Sequence, residues 1–327
     1  MKPPVIDFHA HMLEREVLAR ARDKTVLTGF GTRAPPGGSG PDWAAIYRKM
    51  LDPALQVEDM DRRAIDVHVI SSSTVVQGTS WADPKTERDL VWRVNDCAAE
   101  WCAAYPSRFV GSFVLPLQDI DLSLRELERA VNELGLKVAN VSSCAGGLYL
   151  GHPRFHPFWE AAVGAGVTVF IHPEGVKDPW FQDFALWNSV GQPIEEAKVM
   201  ASIIYEGIFD RFPQAKIVMA HGGGFLPHYC GRLDRNVANM PDSVKYITRK
   251  PSDYLASFYY DTCTYGASVT AALVARVGAD RLVMGSDYAV GDPDPVASVR
   301  EVANITEKDL DLVIGGTAAR LLDLGEG

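Results

Sequence analysis

Short apolar runs rich in Val, Ile and Phe recur along the chain, and each is followed by turn residues and a segment with helical periodicity. This alternation predicts parallel strands that are connected by helices. We count eight such runs, which is the number that closes a barrel. They cover residues 5–9, 67–71, 109–115, 138–142, 167–171, 216–220, 258–261 and 281–285. The pattern therefore predicts an α/β fold of the (β/α)8, or TIM-barrel, class.

The segments between these runs contain the apolar spacing of amphipathic helices. Residues 121–134 carry leucine and valine at helical intervals with charged residues between them, and residues 193–212 behave similarly. Residues 307–324 are predicted to form the last helix. Helices in these places are what the connections of a parallel barrel require.

The region from residue 14 to residue 53 does not fit this alternation. It contains the stretch TGFGTRAPPGGSGPD, and it is too long for an ordinary loop between a strand and a helix. We expect an insertion after the first strand that passes over the barrel mouth. No repeat or second-domain boundary is visible elsewhere, so residues 1–327 are predicted to form a single domain.

Composition and charge narrow the class of function. The chain is 47% hydrophobic and 23% charged, which is ordinary for a globular protein with a sizeable core. Its net charge of -10 argues against nucleic acid or an anionic membrane as a partner. The start, MKPPVIDFHAHM, lacks the apolar core of a signal peptide, and no stretch is apolar enough to span a membrane. We therefore expect a cytoplasmic protein that acts on a small molecule.

The five cysteines do not point to a disulfide framework or a cysteine-bound zinc. Their number is odd, and no CxxC pair occurs. Reduced thiols in a cytoplasm are the simplest explanation.

Histidine and aspartate residues stand at the ends of several predicted strands. His9 and His11 end the first run, and alternation along a strand directs residues two apart to the same face. Neutral imidazole is a common metal donor, although an isolated HxH pair is more often a surface feature. His172, His221 and Asp287 lie at the ends of the fifth, sixth and eighth runs. Strand carboxyl ends meet at the barrel mouth, where active sites of this fold lie, so the five residues predict a metal-containing active site.

In these motifs the chain resembles the amidohydrolase superfamily, in the branch of 2-amino-3-carboxymuconate-6-semialdehyde decarboxylase and related aromatic-acid decarboxylases. The resemblance covers nearly the whole chain. It rests on DFHAH at 7–11, LDPALQVEDMD at 51–61, VLPLQD at 114–119, His172-Pro173, HGGG at 221–224 with GRLD at 231–234, and GSDY at 285–288.

The resemblance implies a division of labour among the five residues. His9, His11, His172 and Asp287 would bind one divalent metal ion, zinc most often and manganese in some relatives, without an organic cofactor. His221 would be the unliganded acid/base, and Asp287 would also take part in catalysis. Three nitrogen donors and one carboxylate leave coordination positions open for water or substrate, as catalytic metals require.

Four further residues are candidates for substrate binding. Arg232 follows His221 by eleven residues and matches a family arginine that reaches the active site of a neighbouring subunit, which implies a homodimer or larger homo-oligomer. Without the resemblance, an arginine in RLDR on a helix is usually solvated. Trp180, Phe184 and Trp187 follow the fifth run and could form aromatic walls of a pocket, but core packing explains them equally well.

The leading hypothesis is a nonoxidative decarboxylase, a carboxy-lyase, of an aromatic or muconate-like carboxylic acid in aromatic-compound catabolism. The chain differs from the semialdehyde decarboxylase at one substrate-binding position, where that enzyme carries an arginine and this chain has Ala44. The identity of the substrate is therefore left undecided. Arg48 and Lys49 are nearby but out of register. A hydrolase or hydratase acting on a lactone or unsaturated acid would use the same residues. A metal-binding protein without catalytic activity is the third hypothesis.

Overall fold

The computed structural model describes residues 3–21, 41–72, 79–176 and 178–324. Within these ranges the strands are β1 (Ile6–Met12), β2 (Val67–Ser72), β3 (Phe109–Phe113), β4 (Val138–Ser142), β5 (Cys144–Ala145), β6 (Leu148–Tyr149), β7 (Thr168–His172), β8 (Lys216–Met219), β9 (Tyr259–Asp261) and β10 (Leu282–Val283).

The α-helices of the described residues are α1 (Arg15–Ala21), α2 (Trp43–Leu51), α3 (Pro53–Arg63), α4 (Pro84–Ala104), α5 (Ile120–Asn132), α6 (His156–Gly164), α7 (Leu186–Ser189), α8 (Gly191–Tyr205), α9 (Ile208–Arg211), α10 (Leu226–Tyr229), α11 (Gly231–Asn239), α12 (Ala267–Val277), α13 (Pro295–Arg300), α14 (Glu307–Asp311) and α15 (Thr317–Leu321). Short 3₁₀ segments include Thr79–Trp81, Pro179–Ala185 and Ala220–Gly223, and Leu312–Gly316 is a π-helical turn.

Eight of the strands form one parallel sheet in the order β1-β2-β3-β4-β7-β8-β9-β10. Backbone hydrogen bonds join the two ends of this sheet, from Phe8 N to the Met284 carbonyl (2.8 Å) and from His11 N to the Tyr288 carbonyl (2.8 Å). Flanking helices follow the strands, and the predicted (β/α)8 barrel is confirmed.

The strands of the barrel contribute side chains to two core layers. Neighbouring residues along one strand belong to different layers. Ile70 and Ile217 pack between strands and helices, whereas the adjacent Val69 and Val218 belong to a second cluster. Because side chains of a strand point alternately to its two faces, the second cluster is the barrel interior. Its strand residues are Ile6, Phe8, Val69, Val138, Phe170, Val218 and Val283, with Ala220 just beyond β8.

The last helix covers the amino end of the barrel. Leu321 and Leu322, at the end of α15, pack against the interior cluster. The Leu321 carbonyl accepts a hydrogen bond from the hydroxyl of Thr168, the first residue of β7, at 3.2 Å. A ligand must therefore approach from the opposite end, where the strands finish.

Three helices begin with an Asp-Pro pair that fixes where they start. The carboxylates of Asp52, Asp83 and Asp294 accept hydrogen bonds from backbone N–H groups in the first turns of α3, α4 and α13. The proline that follows lacks an N–H, so it suits the first helical position.

Several predicted boundaries were wrong in detail. The predicted helix over residues 193–212 is two helices, α8 and α9, because Gly207 adopts a left-handed backbone (φ 75°) between them. The final helix contains the π-helical turn, where Gly315 lies directly against the Pro4 carbonyl and leaves no room for a side chain. The hairpin β5–β6 was not predicted.

The insertion is described only at its two ends, since residues 22–40 lie outside the described residues. The part that was predicted as irregular contains the helices α1 and α2. A backbone hydrogen bond from Leu13 N to the Met50 carbonyl (2.7 Å) joins the two ends of the insertion. Passage of the segment over the barrel mouth stays a prediction, as does the single-domain organisation.

The sequence predicted no membrane-spanning stretch and no disulfide framework. No helix in the described ranges is long and apolar enough to cross a membrane. No disulfide bond joins any of the five cysteines.

Candidate metal centre

Four of the predicted residues come together at the carboxyl end of the barrel. His9 and His11 lie on β1, His172 is the last residue of β7, and Asp287 follows β10 by four residues. One donor atom from each lies within 4.8 Å of the others. His11 Nε2 is 2.8 Å from Asp287 Oδ1 and 3.3 Å from His9 Nε2. Three imidazole nitrogens and a carboxylate in this arrangement can hold one divalent metal ion.

The second ring nitrogen of each histidine faces a partner. His9 Nδ1 is 2.7 Å from Asp261 Oδ2, and His172 Nδ1 is 2.9 Å from the Pro173 carbonyl. An acceptor at Nδ1 holds the proton there and leaves Nε2 free to bind a cation. Asp261 was missed in the sequence, although an acidic residue at the end of β9 was a visible signal.

Burial and neighbouring side chains give His9, His172 and Asp287 the protonation states that metal binding requires. Burial lowers the pKa of His9, and burial together with the charges of His9, His11 and His221 lowers the pKa of His172 well below its usual value. Burial raises the pKa of Asp287, but the neighbouring side chains of His11, His221 and His9 outweigh this and hold it well below its usual range. Neutral imidazoles and an ionised carboxylate are the forms that bind a cation.

His221 lies in the 3₁₀ turn Ala220–Gly223, two residues beyond the end of β8, and the strand ends one residue earlier than the predicted run. Its backbone is left-handed (φ 47°), and the three glycines that follow also have positive φ angles. Its ring centroid is 5.2 Å from those of both His9 and His172. The turn therefore places an imidazole beside the metal centre without adding it to the group of four donors.

Glu196 on α8 is the partner of His221. Its Oε1 atom is 2.6 Å from His221 Nδ1, while His221 Nε2 faces Asp287 Oδ2 at 3.8 Å. Burial raises the pKa of Glu196 to about 7. Burial lowers the pKa of His221, but Glu196 and Asp287 outweigh that effect and raise it well above its usual value. The pair holds a proton in a buried site, as an acid/base group must.

Glu196 was not predicted from the sequence, because it is one of two adjacent glutamates in a helix that is otherwise largely apolar. The available signal for Glu196 in the sequence was an acidic residue on the core side of a helix, since a buried carboxylate needs a hydrogen-bond or charge partner. Glu196 is 0% exposed.

The four predicted substrate-binding residues differ in how far their side chains are exposed to solvent. Arg232 is exposed on α11. Trp180 is 65% exposed and Phe184 is 93% exposed, whereas Trp187 is only 6% exposed and packs over Gly175. Among the described residues, no hydrogen bond or ring contact joins Arg232, Trp180 or Phe184 to the histidines of the centre. Their roles in substrate binding stay predictions.

The model of the amidohydrolase family matches residues 6–324. The chain belongs to this family. Among curated relatives, it is 31% identical over 331 residues to 2-amino-3-carboxymuconate-6-semialdehyde decarboxylase of Dictyostelium discoideum, covering 98% of this chain and 91% of the relative. It is 32% identical over 302 residues to gamma-resorcylate decarboxylase of a Polaromonas species, covering 86% of this chain and 91% of the relative.

A solved decarboxylase structure resembles nearly the whole chain. The dihydroxybenzoic acid decarboxylase of Polaromonas, with bound manganese and the inhibitor 2-nitroresorcinol, superposes with a TM-score of 0.87 at 27% sequence identity. The match covers 99% of this chain and 98% of that one. The predicted family resemblance is confirmed.

Proposed function

We propose that this amidohydrolase is a metal-dependent, nonoxidative decarboxylase of an aromatic or muconate-like carboxylic acid. The observation that carries the proposal is the proton-holding His221–Glu196 pair beside the group of three histidines and Asp287. The printed activities of the relatives support the same reaction class. The enzyme is therefore a carboxy-lyase of small carboxylic acids.

The chain's own residues supply the proton that the reaction needs. A divalent cation, when bound, would supply a Lewis acid for the substrate carboxylate or a neighbouring oxygen. His221 holds a proton at Nε2 and donates it to the ring carbon that carries the carboxylate. The bond from that carbon to the carboxylate then breaks, its electron pair returns to the ring, and CO₂ leaves. Glu196 stabilises the imidazolium before the transfer, and Asp287 Oδ2 lies beside His221 Nε2.

For the metal we propose zinc, with manganese as the alternative, and no organic cofactor. The mixed nitrogen and oxygen donor set suits either ion. Elemental analysis of the purified protein, followed by activity after removal and replacement of the metal, distinguishes the two.

We propose a cytoplasmic homodimer or larger homo-oligomer in which Arg232 of one subunit reaches the site of another. The exposure of Arg232, Trp180 and Phe184 supports this arrangement, because exposed aromatic and arginine side chains are common at interfaces. A guanidinium from the partner would bind the substrate carboxylate in a bidentate manner.

Product analysis tests the reaction class. Metal-replete protein is incubated with a panel of hydroxybenzoic, aminobenzoic and muconic acids in H₂¹⁸O, and CO₂ and products are quantified. We expect one CO₂ per product and no ¹⁸O in the organic product. Incorporation of ¹⁸O without CO₂ would instead identify a hydratase or hydrolase. Absence of any turnover across the panel would favour the non-catalytic alternative.

A further inference from the structure

Tyr265 contacts the metal centre from outside the group of four donors. It lies in the loop between β9 and α12, and its hydroxyl donates a hydrogen bond of 3.0 Å to Asp287 Oδ2. A tyrosine hydroxyl is protonated near neutral pH, so it pairs with an ionised carboxylate as the donor. A side chain from a neighbouring strand end is therefore hydrogen-bonded directly to one of the proposed metal ligands.

The two carboxylate oxygens of Asp287 face different groups. Oδ1 faces the histidine donors, at 2.8 Å from His11 Nε2 and 3.5 Å from His9 Nε2. Oδ2 accepts the hydrogen bond from Tyr265 and faces His221 Nε2 at 3.8 Å. The hydroxyl of Tyr265 thus occupies one oxygen of the carboxylate and leaves the other, Oδ1, for a cation.

The backbone around this hydrogen bond has an unusual conformation. Tyr265 and Asp287 are both left-handed, with φ angles of 55° and 56°. This conformation is unfavourable for a residue with a bulky side chain, and it persists where the surrounding structure maintains it. Gly291 makes room for the contact, since a Cβ atom there would lie 2.8 Å from the Tyr265 hydroxyl oxygen and 2.6 Å from Asp287 Cβ. The loops after β9 and β10 are therefore shaped so that the hydroxyl reaches the carboxylate.

Packing alone does not hold the side chain of Tyr265 in this position. The residue is 66% exposed, and a cavity of about 260 Å³ lies beside it, lined by residues of α12, α13 and the loop after β10. An exposed side chain next to open space changes its orientation readily unless a specific contact fixes it. The thiol of the buried Cys263 is also close to the hydroxyl, but a thiol is a weak hydrogen-bond partner. The hydrogen bond to Asp287 is therefore the stronger of these two contacts.

We propose that Tyr265 is a positioning residue of the metal centre, which restrains Asp287 so that it donates Oδ1 alone and leaves a coordination position for the substrate. Outer partners of metal ligands commonly fix the orientation in which the ligand binds. Without the hydroxyl, the carboxylate can turn and offer both oxygens to the ion. The inference goes beyond the proposed decarboxylation, because it concerns the coordination of the ion and not the reaction.

The test compares Tyr265→Phe with the wild type after the metal has been removed and replaced by cobalt(II) or zinc. The substitution removes the hydroxyl and keeps the ring. Tyr265→Asn is a second variant, because asparagine suits a left-handed backbone but is too short to reach Asp287. Tyr246→Phe is the matched control: Tyr246 is similarly exposed (61%), and it lies beside Gly207, which precedes β8 and is therefore towards the amino end of the barrel.

We expect the visible absorption of the cobalt(II) protein to weaken in Tyr265→Phe and Tyr265→Asn, because this absorption falls as the number of ligand atoms rises. Competition with a chelator should show about tenfold weaker zinc binding, since Asp287 must then be ordered when the ion binds. Tyr246→Phe should match the wild type in both measurements.

The inference is overturned if the cobalt(II) spectra of both Tyr265 variants equal that of the wild type. Weaker zinc binding with an unchanged spectrum would also overturn it, because it would show a contribution to stability alone. A wild type that binds neither ion would overturn the proposed metal centre together with this inference. Failure of CO₂ release in the product analysis would overturn the proposed reaction and leave the result on Asp287 standing.

Discussion

His221 and His9 each face a buried carboxylate through Nδ1, Glu196 at 2.6 Å and Asp261 at 2.7 Å. They differ in position, because His9 belongs to the group of four donors whereas His221 lies in the turn after β8 and outside that group. Burial lowers the pKa of His9, whereas Glu196 and Asp287 raise the pKa of His221 well above its usual value. The same type of side chain therefore has two uses in one site.

The role of His221 predicts a separation of metal binding from turnover. His221→Ala should keep its metal and lose about 10²- to 10⁴-fold in kcat, because it removes the proton donor alone. Glu196→Gln should keep the metal and lose less, since the imidazole remains. Elemental analysis and steady-state kinetics check both. Loss of metal from His221→Ala would make His221 a ligand and contradict the assignment.

The donor residues predict the opposite behaviour. His172→Ala and Asp287→Ala should each lose metal content, because each removes one of four donors of a single ion. Asp261→Asn should retain the metal with about 10- to 100-fold weaker affinity, since it removes only the acceptor that orients His9. Chelator competition measures the affinities. Full metal retention in both alanine variants would show that the site is wrongly assigned.

At the scale of elements, the turn after β8 links the barrel to α8. Gly224 has a positive φ of 62°, and a Cβ atom there would collide with the Pro193 carbonyl and lie 2.8 Å from Glu196 Oε2. The glycine therefore allows the turn that carries His221 to approach the start of α8, the helix that carries Glu196. The distance between the two catalytic partners depends on this contact.

Gly224→Ala should be destabilised by about 1–3 kcal/mol and should lose activity, because both the backbone angle and the contact become strained. Gly164→Ala is the control, because a Cβ at that exposed helical position meets nothing within 4 Å. The control should be neutral or up to about 1 kcal/mol more stable. Denaturant unfolding and kinetics measure both variants, and equal behaviour of the two would contradict the role of Gly224.

At the scale of the whole molecule, one chain contains the largely buried group of four metal-donor residues, whereas its Arg232 is exposed. The barrel interior is filled and its amino end is covered by α15, so substrate must enter from the mouth. The exposed aromatic residues Trp180 and Phe184 belong to the segment that follows β7. These features fit a site that a second subunit completes.

A mixing experiment tests the proposed dimer. Arg232→Ala should keep its metal but lose substrate affinity and rate, because the carboxylate is no longer held in place. When Arg232→Ala and His221→Ala proteins are dissociated and reassembled together, partial activity should return, since one site of a mixed dimer receives both intact residues. An inactive mixture with demonstrated subunit exchange, or an active wild-type monomer, would exclude action across an interface.

Local patterns of the sequence were sufficient for the barrel and for the polar residues that meet at its mouth. Apolar runs predicted the eight strands because burial on both faces requires continuous apolar residues. The meeting of His9, His11, His172, His221 and Asp287 at the barrel mouth could be predicted because strand ends converge in any barrel, whatever the details of its loops. Their division into four donors and one acid/base residue came from the family resemblance.

Only the tertiary structure supplied the partners of these residues. Asp261 and Glu196 can be recognised as partners of His9 and His221 only from contacts with residues that are far away in the sequence, and no local periodicity records such contacts. The left-handed backbone of His221 and the break at Gly207 were missed for the same reason, since packing overrides local preference there. The sequence determined which groups reach the barrel mouth, while three-dimensional packing decided which of them carry a proton and which can bind a cation.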